Sequence, residues 1–561
     1  NKSKKEIIES GECKYDEGGY FIIKGKERVL VTQERANYNT IFVYKQKNTS
    51  KYIYQAEIRS MSNETGHSVL VKAMIKNNKE LYFSLPYITQ EIPCGIVFKA
   101  LGFMTKKDIT SLIGSKYNDI IKYIYRSAYQ IKTQENALEY IGQYSMHNIS
   151  KDKKIAYTKQ ILENELFPHA GIYTTNKERG LFLGYMLYKL IAVYRGDNVA
   201  DDRDNIANKR FEVSGILIAE LFRSLYKRLI RSIIPILTKR QDILITLSRN
   251  NSITHGILYC FSTGNWGIKK NAYIRTGVSQ ILCRLSYSAG ISHTRRIIIP
   301  IGKEGKNTKI RQLHASQYGF ICPTETPEGQ SSGIVKNFAL TTILSNRIPV
   351  IYVKDIIENV KTIIPIYELE FDSISENTYK VFLNGIWLGI TNNMLYTIGN
   401  LRSLRYNGIL HPHISISCDT HIYEINIYTD EGRVLRPLLP IGDDGKIKVT
   451  KDDLERYTYK ELVEQNKIIY LDSAEIITYV IAMYPHEINE YPQYSFDFCE
   501  LHPSFVLGIA ASTIPYPDHT PSPRNTYQAS MAKQAMSIYA MSNEIRTDTV
   551  VHLLQYPKIP L

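Results

Sequence analysis

Two stretches of this 561-residue chain carry residues whose types and spacing could do chemistry. In Cys322-Pro323-Thr324-Glu325-Thr326-Pro327-Glu328-Gly329, two prolines and two carboxylates crowd into a single turn. Proline lacks an N–H and fixes φ, so such a run continues neither a helix nor a central strand. It forms a rigid platform that holds carboxylates at fixed positions. Just upstream lie Arg311-Gln312-Leu313-His314 and a loop bearing Lys303, Lys306 and Lys309. The second stretch is Ser522-Pro523-Arg524-Asn525-Thr526-Tyr527-Gln528, running on to Lys533-Gln534-Ala535-Met536. Arg524 opens a helix-like run, where the N-terminal field favours anions. Its planar, always-charged guanidinium suits a phosphate group. Lys533 and Gln534 follow roughly two turns later. This is the chemistry of phosphate handling. A nucleotide P-loop is excluded, because Gly302 to Thr308 contains Gly-Lys without the GxxxxGK[ST] pattern.

The two stretches, in this order, resemble the signatures of the second-largest subunit of multisubunit DNA-dependent RNA polymerases. The resemblance implies a mixed α+β, multidomain architecture. Residues 1–80 would be part of a protrusion domain, 81–205 a lobe, and 206–262 the return into the protrusion. A fork with two fork loops would span 263–342, external domains 343–440 and 441–515, and the start of a hybrid-binding domain 516–561. It also implies roles. Arg524 would reach the phosphates of an incoming nucleotide, and Glu328 would lie close to the active centre. Lys533 and Gln534 would be available to the RNA backbone. Lys269, Lys270, Arg275 and Gln280 fall on the first fork loop or just beyond it, and Lys303, Lys306, Lys309 and Arg311 on or beside the second, all expected to meet nucleic acid. Arg311 would also brace the turn region.

In that family the largest subunit contributes the aspartates that hold the main metal, and an acidic pair lies further along the second-largest subunit than Leu561. The chain is therefore expected to hold no catalytic carboxylate set and to make no RNA alone. Mg2+ would be held by other chains. The implied partners are the largest subunit, a chain carrying the C-terminal half, smaller subunits, the DNA template and the RNA–DNA hybrid. A split gene, an interrupted gene and a fragment all remain open. From a different class comes a non-catalytic nucleic-acid-binding protein that keeps the polymerase scaffold. Co-purification with a largest subunit separates the two.

The bulk properties agree. With 69 Lys and Arg against 55 Asp and Glu, the formal charge is +14, which suits an acidic partner such as nucleic acid. The length exceeds one ordinary core, so several domains are expected. The longest apolar run, from Leu181 to Tyr194, is broken by Lys189 and too short for a membrane span. NKSKKEIIES lacks the apolar core of a signal peptide, and without a methionine Asn1 reads as an internal start. The 7 cysteines are odd in number and dispersed, which fits an intracellular, reducing compartment, nuclear or cytoplasmic, or a viral factory or virion. The 42 tyrosines, with abundant Asn, Ile and Lys, fit an AT-rich genome.

The remaining elements must position these residues. Asp16 to Gly25 reads as strand, turn, strand, and Val29–Val31 and Ile41–Tyr44 continue the β pattern. From Lys106 to Tyr194 apolar residues recur at helical spacing. Asp201-Asp202-Arg203-Asp204 reads as a solvated acidic loop capping the next helix. Ser214–Ile234 is the clearest amphipathic helix, stopped or kinked by Pro235. Trp266, between glycines, anchors the first fork loop, and Gly432 to Leu438 would join the external domains. His411, His413, Cys418 and His421 could be drawn as a zinc site, but polar and apolar residues alternate there as on a half-exposed strand, and no zinc is predicted.

Serine at Lys303, Lys306 and Lys309 together is expected to weaken downstream duplex binding by the assembled enzyme. The salt slope should fall by about one unit for each phosphate no longer neutralised. Titration of duplex affinity against salt checks this, and an unchanged slope would show that the loop is a solvated turn.

Overall fold

In the computed structural model, residues 4–535 are described except 10, 12–14, 146–149, 172, 239–243, 245–249, 268–274, 302–307, 370–377 and 443. The chain opens on a hairpin, Phe21–Ile23 against Lys26–Leu30, turning at Lys24 and Gly25, both with positive φ. Ser279–Ile281 adds a third strand from far along the chain. Against this sheet packs the helix Ser214–Leu237, whose Leu217, Leu221 and Leu225 share a core with Phe261, Trp266 and Val278. The amphipathic pattern is realised on that face. Pro235 lies inside the last turn, so the helix stops two residues past it.

A five-stranded antiparallel sheet comes next, in the order Phe42–Lys45, Tyr52–Met61, Ser68–Lys76, Leu81–Ser84, Ile92–Pro93. Ala56 and Ile58 of one long strand and Val71, Ala73 and Ile75 of its neighbour are buried, as alternation requires. The face they form covers the helix Asn176–Arg195. That helix is apolar nearly all round and is the centre of its unit, as a helix of that pattern must be. Thr175 and Glu178 form a capping box at its start, and Gly196 in the left-handed region ends it. A Cβ at Gly184 would stand 2.4 Å from the Leu112 carbonyl, so the helix Lys106–Ile113 can cross here only over glycine. One core thus runs from Ile41 to Val193 and also takes in Leu369, Phe382, Trp387 and Ile390. The domain boundary expected at residue 80 cuts through this sheet. Burial of one sheet face by helices later in the chain is a tertiary fact that local pattern does not signal.

The elements around the candidate site hang on a four-stranded sheet assembled from distant segments, in the order Val335–Asn337, Arg296–Ile298, Thr32–Ala36, Lys209–Glu212. Arg296–Ile298 runs parallel to Thr32–Ala36 and antiparallel to Val335–Asn337. Two further five-stranded sheets occupy residues 343–500. The strand Val434–Pro440 is central to the second of them, pairing with Ile343–Leu344, Ile469–Asp472 and Phe498–Glu500. The expected boundary at residue 440 therefore falls at the end of a strand that belongs with the later segments of the chain.

The acidic loop at 201–204 does not cap a helix. The Asp201 carboxylate accepts from the Val43 amide, and Asp202 accepts from the His314 ring at 2.9 Å. The loop therefore docks the segment that leads into the Pro-Glu turn. Among the described residues no helix is long and apolar enough to cross a membrane. The six described cysteines are free thiols.

Arg405 and Glu475 join the last two sheets. The guanidinium donates to both Glu475 oxygens, at 2.9 and 3.0 Å, and to the Ile414 carbonyl. Both side chains are buried. Glu475→Ala would strand the arginine without its counter-charge and is expected to cost about 3–5 kcal/mol. Breaking the exposed Lys354–Glu358 pair should cost about 0.3–0.5 kcal/mol. Urea unfolding followed through Trp387, in a Trp266→Phe background, checks the difference.

Candidate nucleotide and nucleic-acid interface

The helix Ser522–Ala532 begins on Pro521 and Pro523, which are preset for a first turn. Asn525 pins that start by donating to the Pro517 and Thr520 carbonyls at 2.7 and 3.3 Å. Ala529 is buried beside Ala511, Ile514 and Cys322, which fixes the helix against the Pro-Glu turn. Arg524 is exposed on the first turn, its guanidinium 5.7 Å from the Tyr527 ring centre. Among the described residues it makes no ion pair. A buried structural cation it is not.

The far end of the helix is tied down by charge. Lys533 reaches back 3.2 Å to Glu325, whose carboxylate is buried. The same oxygen accepts from Ser292 Oγ at 2.5 Å, the Glu325 carbonyl accepts from Asn337, and the Glu325 amide meets Cys322 Sγ at 3.3 Å. The Lys533 carbonyl accepts from Ser286 Oγ. Lys533 is thus committed to a buried carboxylate, which differs from the RNA contact expected for it. Gln534, one residue on, is exposed.

Between the turn and the four-stranded sheet runs a groove of about 1070 Å3 lined by Arg35, Arg59, Arg275, Gln280, Arg296 and Glu328. Not every cation in it is available. Arg275 pairs with the fully buried Glu212, and Arg35 Nε lies 2.7 Å from that same carboxylate. Gln280 is also spoken for: its amide donates to the Gly277 carbonyl and its oxygen meets His293 Nε2 at 3.0 Å. Arg59 is exposed, and Arg296 is half-buried, its side chain making no hydrogen bond or ion pair among the described residues. Glu328 is exposed at the groove wall. Arg311 stands behind the wall, donating to the Gln330 and Ser332 carbonyls at 2.6 and 2.8 Å and so bracing the turn as expected. Lys309 lies 3.9 Å from Asp204. Lys269, Lys270, Lys303 and Lys306 lie outside the described residues.

The structure thus brings Glu328, Arg275 and Gln280 to one groove and sets Arg524 on a helix anchored to the same turn. Sequence reasoning missed Arg35, Arg59 and Arg296. The Arg295-Arg296 pair was a signal, because it stands where the helix Tyr287–Thr294 ends and the strand Arg296–Ile298 begins. Arg295 turns inward to the Ala339 and Thr342 carbonyls, and Arg296 is left to the groove. Among the described residues no group of three or more His, Cys, Asp or Glu side chains could hold a metal ion.

Comparison with known proteins gives four matching family models, RNA polymerase Rpb2 domain 2 at residues 37–212, domain 3 at 280–344, domain 4 at 381–441 and domain 6 at 510–561. DNA-directed RNA polymerase II subunit 2 of Arabidopsis thaliana is 37% identical over 100% of this chain and 50% of its own length. DNA-directed RNA polymerase subunit Rpo2 of Sulfolobus acidocaldarius is 34% identical over 99% of the chain and 50% of its own length. A probable RPB2 homologue of Invertebrate iridescent virus 6 is also 34% identical, over 100% and 50%. The chain spans about half the length of the curated relatives it matches.

His293 sits behind Gln280. Its Nδ1 accepts from the Cys283 amide at 3.1 Å, so Nε2 carries the hydrogen that Gln280 accepts. Burial, helped by Arg296 and Lys533, lowers its pKa from 6.5 to about 4. Between those two values the unfolded chain takes up a proton that the folded one refuses. Stability is therefore full above about 6.5 and falls as pH drops towards about 4. This histidine should contribute about 1.4 kcal/mol per pH unit over that window. His293→Gln is expected to flatten the slope by that amount in urea midpoints measured against pH.

Proposed function

Because the chain belongs to the family of second-largest subunits of multisubunit RNA polymerases, we propose that it lines one side of the nucleic-acid cleft of a DNA-directed RNA polymerase. The single observation that carries this reading is the exposed guanidinium of Arg524, unpaired among the described residues and held on the first turn of a helix fixed at both ends. In such an enzyme Arg524 neutralises the triphosphate of the incoming nucleotide, and the N–H groups of the first helical turn face the same charge. The groove then carries phosphodiester backbone. Arg59 and Arg296 contact it directly, while Glu328 borders the active centre. Lys533 acts by positioning, holding the helix to Glu325, and Gln534 is left to meet the RNA.

The unit from Ile41 to Val193 takes the place of the lobe, the hairpin and the helix Ser214–Leu237 that of the protrusion, and residues 263–342 that of the fork. Nucleotide addition is phosphoryl transfer, for which two Mg2+ ions held by other chains would clamp the attacking and leaving oxygens. The partners are a largest subunit and smaller subunits of such an enzyme, with the DNA template and the RNA–DNA hybrid. The free thiols favour a reducing compartment, and the work is done wherever the transcribed genome lies.

Arg524→Ala removes a charge-assisted contact of about 1.5–3 kcal/mol. The expected loss in kcat/KM is about ten- to a hundredfold, since about 1.4 kcal/mol is a factor of ten. Lysine should rescue only partly, because it keeps the charge and loses the planar fork. Single-nucleotide addition on a preformed elongation complex, beside a melting curve, checks this. Unchanged addition with lowered melting would overturn the reading.

A further inference from the structure

The helical unit carries a surface that neither the groove nor Arg524 uses. The helix Lys106–Ile113 begins on two lysines, Lys106 and Lys107, although cations at a helix N-terminus oppose its dipole. On the helix Asn118–Ser127, Lys122 and Arg126 stand four residues apart, a spacing at which like charges repel. Lys106, Lys122 and Arg126 nevertheless converge on one open pocket of about 690 Å3, together with Tyr125 and Tyr129. No carboxylate lines it. All three cations are exposed, and none makes a side-chain hydrogen bond or ion pair among the described residues. Elsewhere on the same unit Lys51, Lys76, Lys116, Lys151 and Arg195 each lie against a carboxylate.

The aromatic part of the pocket is built rather than incidental. The Tyr125 ring rests on the ammonium of Lys99 at 5.4 Å, and buried Lys99 is itself fixed by the Ala128 and Ile131 carbonyls. Tyr129 is 73% exposed. Two locally unfavourable charge placements and an exposed ring therefore meet at one concavity, a pattern that folding alone does not reward.

We propose that this pocket receives an acidic peptide segment of a partner protein. Its carboxylates would pair with Lys106, Lys122 and Arg126, and an apolar side chain would pack on Tyr125 and Tyr129. The arrangement favours a peptide over nucleic acid. A phosphodiester chain is met by cations strung along a track, as in the groove, whereas these converge on one hollow between a helix start and a helix end.

The test uses the full chain and a fluorescein-labelled peptide of Asp and Glu around one phenylalanine, read by anisotropy at low salt. Lys122→Glu with Arg126→Glu is expected to weaken binding at least about tenfold. Tyr129→Ser should weaken it about threefold with no change of charge. Lys45→Glu with Lys47→Glu, exposed at and just past the end of the strand Phe42–Lys45, should leave it unchanged, and far-UV dichroism confirms that each variant is folded. No binding by the unaltered chain, equal loss with the sheet variant, or indifference to Tyr129→Ser would overturn the proposal. So would displacement by a single-stranded oligonucleotide of equal charge as effectively as by unlabelled peptide, which would make the pocket a nucleic-acid surface.

Discussion

The groove depends on carboxylates buried in the four-stranded sheet. Glu212 is fully buried between Arg35 and Arg275, and Glu34, 5% exposed, takes Lys209 at 2.5 Å and Lys336 at 3.5 Å. An ion taken out of water costs several kcal/mol unless its partner arrives with it. The strands that carry these charges therefore take their places together. Three of the four strands, Thr32–Ala36, Lys209–Glu212 and Val335–Asn337, are cross-linked by charge as well as by the ladder. Burial lowers the pKa of Lys336, and the Glu34 carboxylate opposes that fall. Arg35 and Arg275 are held by the fold, while the side chains of Arg59 and Arg296 make no ion pair among the described residues.

Glu325 repeats the device at the other wall. Its single carboxylate gathers Ser292 from the helix Tyr287–Thr294 and Lys533 from beyond the helix Ser522–Ala532. A Cβ at Gly508 would stand 2.8 Å from its second oxygen, so a larger residue there would push the anchoring carboxylate aside. The two glutamates of the turn face opposite ways. Glu325 is turned inward as an anchor, and Glu328 is turned outward to the groove.

The more distant units are joined in the same way. Lys189 of the central helix meets Glu424 at 3.1 Å, with Tyr185 donating to the same carboxylate, and Arg210 meets Asp430 at 2.6 Å. Arg433 continues the chain of pairs to Asp472 and to the His413 carbonyl. Joints built on buried, geometrically demanding pairs fix orientation more strictly than apolar contact, which tolerates sliding. A cleft whose walls come from segments hundreds of residues apart needs that strictness.

The sequence by itself determined what is local. The proline-crowded turn, the hairpin at Lys24 and Gly25, the amphipathic helix from Ser214 and the Pro-started helix bearing Arg524 arise from φ restriction, capping and periodicity within a few residues. The order of the two motifs also carried the family. Only the tertiary structure decided where one unit ends and the next begins, because a sheet face is covered by helices later in the chain. It alone decided which cations are free. Lys533 and Arg275 read alike as exposed basic residues, yet each is committed to a carboxylate 208 and 63 positions away. Charge can be counted along a chain, but whether it is available depends on partners that only folding brings within reach.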